Sequence, residues 1–218
     1  MSVLPLRRST AAGTLAEALR EELLSGAFAP GTPLPEADVV ERTGATAATV
    51  REALAELARD GLVVHSLHRG VEVARITADE LRDIYKARRV YETAGLEALL
   101  GRRPVDISWL HAACERMGEA AVAGDHRTLV EADMAFHLAI VAAAGSRRLT
   151  RAAQGGLMEL RLVLSVADRT TDDLPAMVAS HQHLMDVFAA ATAPAAVAAL
   201  VDHLDHGEAL ARTAASEL

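Results

Sequence analysis

Asp133 and His137 stand four residues apart on a stretch where Leu129, Phe136 and Ile140 recur at helical spacing. Residues i and i+4 share one face of a helix, so the carboxylate and the imidazole project together into whatever that face buries. His181 occupies the same kind of position among Met177, Leu184 and Phe188, and His203 among Ala196, Leu200, Gly207 and Leu210. One carboxylate and three imidazoles would then point inward from three helices of one bundle. Burying them without partners is costly. Two arrangements remove that cost. The four groups could hydrogen-bond within the core, or they could hold one divalent transition metal such as zinc, nickel, manganese or iron, for which neutral imidazoles and a carboxylate are suitable ligands. His183 and His206 fall off these seams and are expected in solvent, while His65, His68, His111 and His126 form no ligand pattern.

Arg88 is a second polar group on an apolar face, in the series Leu81, Ile84, Arg88, Tyr91, Gly95 and Leu99. An inward guanidinium needs an anion. Glu92, one turn on, can supply it. A bound carboxylate could also do so, since the planar fork of arginine pairs with a carboxylate through two parallel hydrogen bonds.

These residues require helices to carry them. From Thr77 onward the pattern predicts helices at about 77–102, 106–123, 126–144, 147–167, 174–191 and 194–214, separated by Pro104, Gly124, Gly145, Asp172-Asp173 and Pro194. Short connections favour antiparallel neighbours, so residues 77–218 are expected to form an all-α bundle of about six helices. Residues 1–76 read differently. Leu15, Leu19 and Leu23 mark a helix from Thr14 to Ser25 that stops at Gly26, and Glu36 to Thr43 is a short helix that breaks at Gly44. Thr46 can cap a third helix, which buries Val50, Ala53, Leu54 and Leu57 and turns Arg51 outward. Leu62–Val64 and Val71–Val73 predict two short strands joined through His68-Arg69-Gly70. Three helices and a hairpin in this order describe a winged helix-turn-helix. Such a unit offers a capped helix N-terminus to phosphate, a helix body to the major groove and a hairpin tip to the neighbouring backbone. The expected fold is therefore mainly α, with a winged helix-turn-helix domain over 1–76 and a helical domain over 77–218.

The bulk composition narrows the field. Over 218 residues the chain is 51% hydrophobic, 24% charged and 3% aromatic, which excludes a disordered chain, a collagen and a disulfide scaffold. Cys114 is the single cysteine, no long apolar run follows the first basic pair, and the alanine-rich stretch from Val187 to Val201 is too short to span a bilayer. A soluble cytoplasmic protein is expected. The net charge is −8, and residues 1–76 carry 8 basic against 10 acidic side chains. A basic footprint is absent in bulk, so DNA binding would have to rest on where individual arginines stand.

Three segments resemble the GntR family of bacterial transcription regulators. They are Gly26-Ala-Phe-Ala-Pro-Gly-Thr-Pro-Leu-Pro-Glu36, then Thr43 through Val63 with its Val50-Arg-Glu-Ala-Leu54 core, and Arg69-Gly-Val-Glu-Val73. The second half resembles the ligand-binding domain of the FadR-type subfamily. The carriers are Arg88-Arg-Val-Tyr-Glu92, Asp133-Met-Ala-Phe-His137, His181 before Leu184-Met185, and His203-Leu204 at matching separation. The resemblance implies a homodimeric regulator that binds a palindromic double-stranded DNA operator and a small effector, commonly an organic acid, near a metal. It implies that Asp133, His137, His181 and His203 hold a zinc, nickel or manganese ion and that Arg88 and Tyr91 face the effector. It implies that Arg51 touches the operator, with Thr46 and Thr49 near phosphates and Arg69-Gly70 at the wing tip. The chain departs from the family where Thr46-Ala47-Ala48-Thr49 replaces the usual Ser-Arg-Thr-Pro, and Ala37 stands where an arginine is common. The readings that compete with a regulator are a metalloenzyme using the Asp–His₃ set to activate water, and a co-regulator that no longer binds DNA.

Overall fold

The structure is a computed structural model that describes residues 10–66, 70–102, 106–167, 174–190 and 192–216. The chain divides into two compact units, Met1–Arg75 and Ile76–Leu218.

In the first unit, α1 (Ala11–Leu24) buries Ala12, Ala16, Leu19, Leu23 and Leu24. It begins three residues before the leucine spacing predicts, because the Thr10 side chain accepts a hydrogen bond from the Gly13 N–H and caps the helix there. α2 (Glu36–Thr43) ends at Gly44, whose φ of 67° is the left-handed cap that glycine adopts without a Cβ penalty. α3 (Ala47–Arg59) is capped by Thr46, which accepts from the Thr49 N–H at 3.2 Å. Its buried face is Val50, Ala53, Leu54 and Leu57, packed on α1. Arg20 on α1 pairs with Asp60 at 2.6 Å just beyond α3 and fixes that crossing.

β1 (Val63–Ser66) and β2 (Gly70–Val73) pair antiparallel with Val63 opposite Val73. The stretch ahead of α2 also joins the sheet. The Val73 N–H donates to Thr32 O at 2.9 Å and the Leu34 N–H donates to Val71 O at 2.8 Å. The free edge of β2 is thereby covered, an arrangement that Pro33 and Pro35 hide from a periodicity reading.

Among the described residues the second unit has six helices: α4 (Ala78–Leu100), α5 (Ser108–Ala123), α6 (His126–Ala142), α7 (Arg147–Ala167), α8 (Leu174–Ala190) and α9 (Ala193–Ser216). Thr77 and Glu80 form a capping box at the start of α4. Gly124, with φ 66°, closes α5, and Asp125 then caps α6 through the Thr128 N–H. α6 is the centre of the unit and packs against α4, α5 and α7, while α9 packs on α4 and α8. None of the described helices is long and apolar enough to cross a membrane.

The predicted seams hold except at their margins, where Met177, His203 and Gly207 are partly buried and two positions depart in ways that bear on the site. Tyr91 is only partly buried, and Leu210 is 55% exposed, with Leu204 and Ala211 taking its place in the core. The cause is helical drift. A seven-residue step falls about 20° short of two turns, so Leu210 lies outside His203, which is already at the edge of the buried face.

α4 and α6 touch backbone to backbone. A Cβ built on Gly95 would lie 2.0 Å from Ile140 O and 2.9 Å from Val141 Cα. Neither helix can yield to it without losing packing elsewhere. Gly95→Ala should therefore destabilise the protein by about 1–3 kcal/mol through overpacking. Chemical denaturation of the variant beside Gly155→Ala, where nothing lies within 4 Å of an added Cβ, checks this.

Candidate metal and effector site

The inward stripes of α6, α8 and α9 meet in one place. Asp133, His137 and His181 are buried at 7%, 2% and 1% exposure, and His203 is partly buried. His137 Nε2 lies 3.4 Å from both His181 Nε2 and His203 Nε2, and the ligand atoms of the three imidazoles all fall within 4.8 Å of one another. Asp133 Oδ1 adjoins them, 2.8 Å from His181 Nε2 and 3.6 Å from His137 Nε2. The Phe136 ring meets His137 and His181 edge-on and forms an apolar wall.

The other ring nitrogens are occupied. His137 Nδ1 lies 2.6 Å from Glu92 Oε2, His181 Nδ1 is 2.9 Å from the Met177 carbonyl, and His203 Nδ1 is 2.9 Å from Ser180 Oγ. A carbonyl and a carboxylate only accept, so His137 and His181 donate through Nδ1. Their neutral rings then turn the Nε2 lone pair inward, toward each other and toward the Asp133 oxygen. Acceptor faces acceptor at 2.8 and 3.4 Å, and either an added proton or a cation resolves the conflict. The donor set fits a cation. Zinc–imidazole bonds of about 2.0–2.1 Å put two nitrogens on one ion about 3.0–3.4 Å apart, and outer partners on Nδ1 are what orient metal-binding histidines.

Charge coupling in the cluster is strong. Burial raises the Asp133 carboxyl, but His137 and His181 outweigh it and hold the pKa well below the ordinary value. Burial lowers His137, yet Glu92 together with Asp133 more than reverses this against the opposing Arg88, and the net direction is up. His203 is pushed down to about 2, first by burial and then by His137 and His181.

Arg88 borders the cluster through Glu92. Its Nε donates to Glu92 Oε1 at 2.8 Å, so one carboxylate bridges Arg88 and His137. The reading of Glu92 as the partner of Arg88 holds, and its second oxygen on His137 is what the sequence reading missed. The signal lay in the i,i+4 spacing, which places Glu92 on the inward face with Arg88. The guanidinium carbon stands 4.8 Å from the Tyr85 ring centre, and Nη2 is buried with no hydrogen-bond partner among the described residues. Tyr91 lies on the flank of this face, and no hydrogen bond among the described residues joins it to the cluster. The tyrosine beneath Arg88 is Tyr85, one turn earlier.

In the first unit, Thr46 is exposed at the start of α3 and Thr49 is partly buried, and the two hydroxyls lie 2.9 Å apart. The Arg51 side chain is 60% exposed, with Nη1 3.5 Å from Glu36 Oε2. Gly70 opens β2 at φ 77° with open space around it. Arg69 lies outside the described residues.

A helix-turn-helix with a hairpin, followed by a helical unit built around a buried polar cluster, defines a DNA-binding transcription regulator with a sensor domain. Residues 11–73 match the model of the bacterial regulatory proteins of the gntR family, and residues 83–206 match the FCD domain. The chain belongs to the GntR family of bacterial regulatory proteins, with an FCD domain as its second half. It is 29% identical over 206 residues to a protein of Paenarthrobacter nicotinovorans named as the probable D-xylose utilization operon transcriptional repressor, covering 91% of this chain and 88% of that one. A GntR transcriptional regulator from Rhodococcus sp. RHA1 has a solved structure that superposes with a TM-score of 0.82 at 31% identity, covering 92% of this chain and 96% of that one. The E. coli protein McbR/YncC shares the fold at a TM-score of 0.76 and 18% identity, over 94% of this chain and 99% of that one. The Paenarthrobacter and Rhodococcus relatives are named as regulators, so the metalloenzyme reading gives way: the protein is a transcription regulator and not an enzyme, and its FCD domain is the effector-binding half.

Proposed function

We propose that Asp133, His137, His181 and His203 hold one divalent metal ion and that a small carboxylate effector binds beside it at Arg88, with Tyr91 on the flank of the same helix face. The observation that carries this reading is the inward convergence of three imidazole Nε2 atoms, each ring fixed by an outer partner on Nδ1. When bound, the ion supplies positive charge and open coordination positions for a carboxylate oxygen. Arg88 contributes a second, fixed positive group, and its free Nη2 lies beyond the Glu92 pair. The Leu, Phe and Met side chains around the cluster exclude water and strengthen the preference for an anion. The curated relative is named for D-xylose utilization, so D-xylose and its aldonic acid belong in the first effector set. Calorimetric titration of the zinc-loaded protein with these compounds and with simple organic acids tests the site.

The effector alters transcription by binding one arrangement of the DNA-binding units better than another. The protein acts in the cytoplasm as a homodimer on a palindromic operator, since two copies of a wing with few basic contacts restore affinity and impose two-fold symmetry on the site. Thr46 and Thr49 face phosphates at the α3 N-terminus, Arg51 reaches a base edge, and Arg69-Gly70 approach the backbone from the wing. The Glu36 pair does not hold Arg51 back, because an exposed ion pair contributes only about 0–1 kcal/mol. Arg51→Ala should cost about 1–3 kcal/mol of operator affinity and relax the preference at one base pair. Binding to fragments selected from genomic DNA measures it, and unchanged affinity removes Arg51 from the interface.

A further inference from the structure

Tyr85 and Arg88 stand one turn apart on α4, both buried, with the guanidinium over the tyrosine ring at 4.8 Å. The stacking fixes the two polar ends relative to each other. The Tyr85 ring is buried, its hydroxyl makes no hydrogen bond to another described residue, and the polar atom that is itself buried without a partner is Arg88 Nη2. Tyr85 lies at the seam between α4 and α9. A Cβ built on Gly207, one turn beyond His203, would come within 3.2 Å of Oη. Gly207 therefore leaves the hydroxyl clear on the side of α9 that carries the cluster imidazole. Burial pushes the Tyr85 pKa up to about 12, with Arg88 opposing and Asp133, Glu92 and Glu208 adding, so the group remains a neutral donor across the physiological range. The buried donor without an acceptor is Arg88 Nη2, one turn along the same face, and such an atom marks a place where another molecule supplies the acceptor.

We propose that Tyr85 is a specificity-determining residue of the effector site: its hydroxyl and Arg88 Nη2 form a two-donor edge that selects small acids carrying a second oxygen function beside the carboxylate. The inference rests on the anion site at Arg88 proposed above. Arg88 takes the carboxylate, and Tyr85 donates to the hydroxyl, carbonyl or second carboxylate of the same molecule. A site built to hydrogen-bond such a group discriminates against analogues that lack it, because its own polar atom is then left unpaired.

The test is calorimetric titration of the full-length, zinc-loaded protein with acetate, glycolate and malonate. Tyr85→Phe keeps the ring under Arg88 and removes only the hydroxyl. It should retain zinc stoichiometry and melting temperature, bind acetate within twofold of the parent, and lose about tenfold for glycolate or malonate. An equal loss for all three acids, or no loss for any, overturns the proposal. Gly207→Ala provides a second reading if the phenylalanine variant binds zinc poorly. It crowds the hydroxyl without removing it and should weaken glycolate or malonate more than acetate, and parallel changes refute the proposal. If the parent protein binds none of the three acids in a zinc-dependent way, the anion site itself fails and this inference falls with it. Zinc-dependent binding of all three with unchanged discrimination in both variants overturns only the role of Tyr85.

Discussion

Purified without a metal-affinity tag, the parent protein should carry about one divalent ion per chain and His137→Ala close to none. His137 is the centre of the cluster, 3.4 Å from each of the other imidazoles, so its loss removes the group the others converge on. Saturation at 100 times the dissociation constant adds about 2.7 kcal/mol to the stability of the native protein, or roughly 5–10 °C for a domain of this size. The variant should lose that metal-dependent increment while keeping its helical circular dichroism. Elemental analysis and thermal melts with and without zinc decide it. Full stoichiometry in both His137→Ala and His203→Ala would return the cluster to a hydrogen-bonded core. The pH profile has a definite sign. Protons compete with metal for imidazole. The raised pKa of His137 makes that competition begin at higher pH than for an ordinary histidine, whereas His203, near 2, does not take part. Affinity should therefore begin to fall at a higher pH than an ordinary histidine would dictate, by at least about tenfold per pH unit below the His137 value.

Glu92→Ala should be the most destabilising single change in the helical domain, at about 3–5 kcal/mol, because it leaves the buried Arg88 charge without its anion. Replacing both residues with leucine should recover only part of the loss, since it removes the unpaired Arg88 charge but still leaves the buried His137 Nδ1 without its acceptor. Glu92→Gln separates the structural role from the orienting one. The amide can accept from either Arg88 or His137 but turns a donor toward the other, so metal affinity should drop by about 10–100-fold, the usual effect of losing an outer partner of a ligating histidine. Urea denaturation of the metal-free proteins and competitive zinc titration measure the two effects. A Glu92→Ala protein as stable as its parent would mean that water reaches Arg88.

The helical domain was largely legible in the sequence because its information is periodic. The ends of α4 to α9 fall within a few residues of the predicted ones, and polar residues on apolar stripes located Asp133, His137, His181 and His203 before any packing was known. What the stripes could not supply is the pairing between helices. The carboxylate of Glu92 spans from Arg88 on its own helix to His137 on α6, and only the contact of α4 with α6 at Gly95 brings those groups together. The same limit left Tyr85 out of the sequence reading, which named Tyr91. Both fit a helical face, and the direction of the Arg88 side chain decided which of them lies beneath it. The segment Thr32–Leu34 escaped notice because prolines flank it and its pairing partner lies forty residues away.

The outer partners of the three imidazoles have a consequence for motion. The rings come from α6, α8 and α9, Glu92 ties in α4, and Ser180 on α8 holds the ring from α9. With an ion on the three Nε2 atoms, α6, α8 and α9 cannot open separately without releasing it, and α4 cannot open without freeing His137 Nδ1 from Glu92. Local fraying is thereby converted into one larger, rarer opening event shared by all four, and backbone amides that would otherwise exchange with solvent at their own separate rates come to exchange together.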